Sequence, residues 1–486
     1  MAESNEWTIE LGGRAGWGGY CPAYGENDYP YLGNDNQFSS MVAVDLTDPN
    51  ILTQGPGVVN LTGGTEAGNV KTLISAILKI ATSANVSFAC GVNKVYKLSA
   101  TAVSASVATI TGGTNQVADS LLYYQSYIYV FWNDTGTDGN IAKVTPADMT
   151  IDVDWGSSVP TGAAKLEDAP HYGVVGGDNR FYFTNGKYVG KYGDDVLDVQ
   201  ALDFSENSEV VSIVWSNDIV SVAVNKPNVS GANFNQSAVY DWNTVSALWE
   251  SNPVNVPGEI GALYIKNGRK FIWYKDGIDT SGYVFGYING SVLSEISRYS
   301  GSLPNQNQVG EYKGHIAWLS DNKVIMFGSR DFGLATKLFT YLSPVYATAG
   351  AFASPFGTML ISSENATTGK SLAKASGYSI ATRAKTIAYK KSGAGYKSQI
   401  DLIQIETEEM KTGAKVDFTI TYDQKKSTQA CTQIAYSAAK PTLHKIWDKS
   451  LEVEDFRLDT SSANGSATNP VEIRSVLIKG HNVPNN

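Results

Sequence analysis

The feature that most constrains this chain is a short hairpin pattern that keeps returning. "LSDNKVIMFGS" (residues 319–329) reads as two apolar strands folded back through an Asp-Asn turn. It has companions: "FACGVNKVYKL" (88–98), "LLYYQSYIYVF" (121–131), "VVGGDNRFYFT" (174–184), "IVWSNDIVSVA" (213–223), "LYIKNGRKFIWY" (263–274) and "FASPFGTMLIS" (352–362). With the wider form of the first, "IAWLSDNKVIMFG" (316–328), they make seven. Each sets an apolar strand, a small polar turn and a strand of alternating large residues in a row. Looser strand pairs follow most of them, as in "YVFGYINGSVLSEI" (283–296), where Asn289-Gly290 is itself a hairpin signal.

One hairpin per few dozen residues fits four-stranded blades set around an axis. Residues 70–382, divided by seven, give units of about 45 residues, inside the ~40–50 of propeller blades. The fold expected is all-β: a seven-bladed β-propeller at 70–382, with six or eight blades left open by uneven loops such as 133–140 and 225–237. "VKTLISAILKIA" (70–81) satisfies both a helical and a two-residue period and is read as a strand. The blades lack Trp-Asp endings, since Asp154-Trp155 and Asp241-Trp242 run in the reverse order.

Character changes after residue 382. Residues 383–486 hold 15 Lys and Arg against 12 Asp and Glu, whereas residues 1–382 hold 22 against 35. "QIDLIQIETE" (399–408), "KVDFTITYD" (415–423), "EVEDFRLD" (452–459) and "PVEIRSVLIKG" (470–480) alternate with period two, which predicts an antiparallel β-sandwich at 383–486, joined near 377–387. Residues 1–69 are Gly- and aromatic-rich without a period and read as an extended N-terminal arm. Its Trp7, Trp17, Tyr20, Tyr24, Tyr29 and Tyr31 either anchor another subunit or cover the chain's own propeller, where the segment would supply a closing strand.

Composition excludes several functions. A net charge of -10 argues against gripping nucleic acid phosphates. Cys21, Cys90 and Cys431 are too far apart for a disulfide framework or zinc spacing. The start "MAESNEWTIE" has no leader pattern and no apolar run spans a membrane, so a soluble, non-secreted product is expected. His171, His315, His444 and His481 have no metal-binding spacing, and no cofactor or metal is expected. Gly369-Lys370-Ser371 lacks the upstream Gly of a phosphate loop and reads as a turn. The loop with Asp134, Asp138 and Asn140 offers oxygen ligands for calcium but reads first as an Asp/Gly turn. "SRDFGLAT" (329–336) partly resembles the Asp box of sialidase-like propellers, a turn motif without catalytic residues.

Taken together, the arm with "VDLTDPNILTQGPGVVNL" (44–61), a propeller without catalytic motifs and a closing sandwich strand "PVEIRSVLIKG" resemble tail hub or nozzle proteins of double-stranded DNA bacteriophages. The resemblance implies a non-enzymatic virion component assembled in the host cytoplasm. Its partners would be copies of itself in a ring, other tail or portal-adapter proteins, and DNA passing without specific binding. The competing expectation is a propeller that binds or cleaves host surface glycans, with Trp132, Trp155, Trp242, Trp249 and Trp273 as stacking surfaces and paired carboxylates converging from adjacent blades.

Overall fold

The computed structural model describes residues 6–12, 17–20, 37–42, 44–45, 48, 51–55, 57–63, 70–73, 86–111, 116–134, 137–158, 166–226, 237–246, 249, 253–276, 282–321, 323–328, 338–342, 348–365, 369–376, 382–391, 396–462 and 470–484. They are almost entirely strand, arranged as a seven-bladed β-propeller with a β-sandwich beside it.

Seven four-stranded antiparallel ladders follow in chain order, and their first strands stand next to one another around a closed ring. These inner strands are Val70–Leu73, Gln116–Tyr124, Gly173–Val175, Glu209–Ser216, Gly258–Lys266, Val309–Tyr312 and Thr348–Ala353. The last meets the first, which closes the circle. Each predicted hairpin falls in a different blade. In five blades it is made by strands one and two, but 88–98 and 316–328 form strands two and three of the first and sixth blades. Alternation along a strand marks one face buried against a neighbour, a state that strands at any position in a blade can share, so it does not tell inner from outer strands. Of the 70–81 stretch, Val70–Leu73 is a strand and the rest lies outside the described residues.

Buried side chains form seven clusters, and each sits at a different blade-to-blade interface, one of them continuing into the sandwich. The fifth–sixth interface is the most aromatic: Trp273, Phe285 and Trp318 pack with centroids 4.8–5.4 Å apart. The Trp318 indole N–H donates to the Tyr283 hydroxyl at 2.8 Å, which satisfies its one polar atom.

The domain limits differ from expectation at the N-terminus. Gly57–Asn60 is the outermost strand of the seventh blade, paired with Gly369–Ser376, so the ring is locked by a strand placed before the first blade. The strands Glu6–Gly12, Gly19–Tyr20 and Gln37–Val42 belong to the sandwich, and Val44–Asp45 pairs with Thr53–Gln54 in a small ladder of its own. One sandwich sheet orders Glu6–Gly12, Ile473–Pro484, Tyr396–Thr407 and Leu443–Trp447, with Leu451–Val453 alongside. The other orders Gly19–Tyr20, Gln37–Val42, Thr382–Thr386, Phe456–Ser462, Lys415–Tyr422 and Ser427–Ala430. Through Gly19, paired with Leu338, this second sheet continues the sixth blade.

The arm reading is therefore corrected. In "WTIELG", Ile9 and Leu11 point into the sandwich core while Thr8 and Glu10 face solvent, the alternation of a half-buried strand. Trp7 stacks on Phe456 at 5.6 Å, and Trp17, 1% exposed, stacks on Phe38 at 5.7 Å. Gly12, at φ +69°, makes room for Trp17: a Cβ there would stand 2.6 Å from the indole ring. Both tryptophans thus pack against aromatic rings of their own chain. Tyr20 joins the sheet through its backbone, and Tyr24, Tyr29 and Tyr31 lie outside the described residues.

The axis of the propeller is crossed by chain. Between the fifth and sixth blades a short 3-10 turn, Gln306–Gln308, is capped by Asn305, whose side chain accepts from Asn307 N at 3.0 Å while Gln308 Oε1 accepts from Asn305 N at 3.0 Å. The Gln306 carboxamide accepts from Ser212 Oγ and from Ile213 N at 3.2 Å, and donates to Ile213 O at 3.1 Å, on the fourth blade. Asn307 Nδ2 donates to Asp119 O on the second blade at 3.2 Å. This turn also touches the inner strands of the first, fifth and seventh blades, so it spans the centre of the ring.

Candidate functional site

Inner strands begin at one face of the propeller, and the residues that start them surround its mouth. Glu209 opens the inner strand of the fourth blade, and Glu259 is the second residue of the fifth blade's. These two strands are direct neighbours in the ring. Glu209 meets solvent, yet the protein packed around it, and then the negative charge of Glu259, hold its carboxyl above the ordinary carboxylate value. Tyr172 lies within reach of the same field. Burial raises its phenol strongly, and the charges of Asp119 and Glu209 add to the rise.

Next to Glu259 is a crevice of about 460 Å³ between the fifth and sixth blades, lined by Glu259, Lys275, Gly282, Gly301, Ser302, Leu303 and Asp321. Lys275 is there because the ladder sets it directly across from Glu259. Asp321 occupies the left-handed turn of the 319–329 hairpin, at φ +52°. Its Oδ1 accepts from Ser302 Oγ at 2.6 Å and from Ser302 N at 3.3 Å. Gly301, at φ +117°, leaves space for that carboxylate, since a Cβ there would lie 2.5 Å from Asp321 Oδ2.

On the side of the second and third blades the mouth is held by a buried relay. Asn133 Nδ2 donates to Asp119 Oδ2 at 2.6 Å and to Ala169 O at 2.8 Å, which turns its Oδ1 towards His171 Nε2, 3.1 Å away. His171 Nδ1 lies 2.8 Å from Thr184 O, on the third blade. Burial pulls the His171 pKa below its ordinary value, against the Thr184 contact and the charges of Asp119 and Asp168. The relay bolts two blades together and leaves no ring nitrogen for a ligand.

The remaining sequence candidates are dispersed. His315 Nδ1 faces Lys313 O, His444 Nε2 faces Thr407 Oγ1, and His481 pairs with Asp401 at 2.7 Å. Among the described residues no three His, Cys, Asp or Glu side chains cluster as a metal site. Asn140 of the calcium-like loop donates instead to Ser157 Oγ at 2.7 Å, beside the short helix Trp155–Ser158; the Asp138 side chain lies outside the description. Gly369-Lys370-Ser371 opens a strand and is not a turn. Residues 329–336 and Cys21 lie outside the described residues.

Stacking surfaces for sugars do not form where the sequence suggested. Trp132, Trp242 and Trp273 are 7%, 1% and 0% exposed. Trp155 packs on Tyr129 and Tyr192, and Trp249 on Phe204 and Tyr240. Blade packing buries the first three and leaves Trp155 and Trp249 half-buried against their aromatic neighbours. Of the paired carboxylates expected to converge from adjacent blades, Glu209 and Glu259 stand on neighbouring inner strands, and Glu259 of the two lines the crevice.

No family model matches the chain, and no curated protein sequence matches it. Solved structures similar to it include an exo-β-1,3-galactanase from Phanerochaete chrysosporium with β-1,3-galactotriose, at 9% identity and a TM-score of 0.31, covering 86% of this chain and 96% of that one. Another is a glycoside hydrolase family 43 arabinoxylan arabinofuranohydrolase from Bacillus subtilis in complex with cellotetraose, at 8% identity and a TM-score of 0.30, covering 82% and 96%. A third is the extracellular domain of a hybrid two-component system from B. thetaiotaomicron, at 12% identity and a TM-score of 0.42, covering 81% and 47%. Such values confine the likeness to β-sheet architecture. The expectation of a non-enzymatic virion tail component is corrected here: these similar structures are two glycoside hydrolases and a bacterial extracellular domain, and no tail hub or nozzle is among them.

Proposed function

We propose that the mouth of the propeller binds carbohydrate and cleaves a glycosidic bond, with Glu209 as proton donor and Glu259 as the second carboxylate. The observation that carries this reading is the pair itself: two carboxylates on adjoining inner strands, one of them held above its ordinary pKa by crowding and by the other's charge. Glycoside hydrolysis needs that division of labour, a carboxyl that keeps its proton to protonate the departing oxygen and a carboxylate that works opposite it. Burial and a neighbouring like charge are the means by which one environment yields two roles.

The test is release of new reducing ends from a panel of α- and β-linked oligosaccharides, with binding read in parallel on a glycan array. Glu209→Gln should lower turnover by about 10²–10⁴-fold, the usual worth of a general acid, while leaving sugar binding in place. A protein that neither binds nor cuts any glycan of the panel sinks the reading. Binding without cleavage would keep the ligand class and remove the catalytic roles.

A further inference from the structure

The crevice beside Glu259 carries a pattern of its own. Among the described residues no hydrogen bond or ion pair holds the Lys275 ammonium or the Glu259 carboxylate, although the two stand across from each other on neighbouring strands. Asp321 gives one oxygen to Ser302 and keeps Oδ2 on the side of Gly301, in the crevice wall. Leu303 supplies an apolar surface. Donor and acceptors thus lie side by side around a volume of about 460 Å³, within the ~300–1,000 Å³ of small-molecule sites.

We propose that this crevice seats a neutral, hydroxyl-rich sugar ring and turns away acidic sugars, an inference that rests on the carbohydrate reading above. A hydroxyl donates one hydrogen bond and accepts others, so it can bridge Lys275 to Glu259 or Asp321, which two carboxylates alone or an ammonium alone could not offer. Two carboxylates against one ammonium leave the lining net negative. A uronate or a sulfated sugar seated there meets like charge at short range. Selectivity then comes from repulsion of the wrong class as much as from attraction of the right one.

The experiment is calorimetric titration of the full chain with matched oligosaccharides of one linkage, neutral in one series and uronate-bearing or sulfated in the other, at about 0.15 M salt. The wild-type protein should bind the neutral series at least about tenfold more tightly. Lys275→Met should weaken neutral binding about tenfold through loss of a charged hydrogen bond. Asp321→Asn suits the left-handed backbone, keeps an acceptor for Ser302 and removes one charge, so it should narrow the gap between the series. A merely structural role for Asp321 would leave that ratio unmoved. Equal or tighter binding of acidic sugars overturns the inference and leaves the carbohydrate reading standing. So does neutral binding that both variants leave unchanged. Failure of every sugar to bind overturns both.

Discussion

The propeller and the sandwich are made of the same material, antiparallel strands of alternating polarity, yet the chain builds them in opposite ways. In six of the seven blades the four strands are consecutive in the chain, and the seventh takes only its outermost strand, Gly57–Asn60, from elsewhere. Sandwich strands come from both ends of the chain: Glu6–Gly12 pairs with Ile473–Pro484, and Gln37–Val42 with Thr382–Thr386. Local ladders cost little loop entropy to close, and distant ones cost more. The two regions are nonetheless tied, because Gly57–Asn60 locks the ring and the sixth blade shares its sheet with the sandwich. These shared strands are expected to make the two architectures unfold as one cooperative unit.

Removal of residues 1–60 is the severest way to break that comparison. It takes away three sandwich strands and the closing strand of the seventh blade, and the expected result is loss of any cooperative thermal transition. A propeller that still melts cooperatively would mean the regions are independent. Next come Trp273→Ala in the propeller and Trp17→Ala in the sandwich, each expected to lower stability by about 3–5 kcal/mol. Denaturant titration should show both losses in one shared transition; two separate midpoints would split the molecule. Gln306→Ala leaves Ser212 and the Ile213 backbone without their partner at the axis and should cost about 1–3 kcal/mol. The smallest effect concerns pH. Glu259→Gln removes the charge that adds to the rise at Glu209, so the Glu209 carboxyl, followed by NMR titration of the full chain, moves back towards its ordinary value. An unmoved titration would separate Glu209 from Glu259.

Where the sequence was legible follows from the same contrast. Each blade carries its own turn chemistry, as at Asp321 and Asn289-Gly290, so the hairpins declare themselves within a window of a dozen residues. The N-terminal strands declared less. "WTIELG" does alternate, and that signal could have placed Ile9 and Leu11 in a core, but glycines and aromatics on either side hid it and its partner lies at the far end of the chain. Tryptophan fits both a sugar platform and a blade interface, and Trp132, Trp242 and Trp273 take the interface, the commoner use in blades. Glu209 and Glu259 went unnoticed in "SEVVSI" and "GEIGAL", two similar segments that each place a glutamate before an aliphatic run. Their meaning depends on those runs being neighbouring inner strands, and strand order around a ring is not written in alternation.

The pairing of Glu6–Gly12 with Ile473–Pro484 has a consequence during synthesis. A ribosome adding ~5–20 residues per second needs some tens of seconds to pass from one strand to the other. Over that interval the nascent chain carries Ile9, Leu11 and Trp17 without the surface that buries them. Blades can assemble one after another as they emerge, but the ring stays unlatched until Gly369–Ser376 arrives to meet Gly57–Asn60. Ile473–Pro484 completes Glu6–Gly12, so a translation product truncated before it would present open strand edges, the surfaces most prone to pair with other chains.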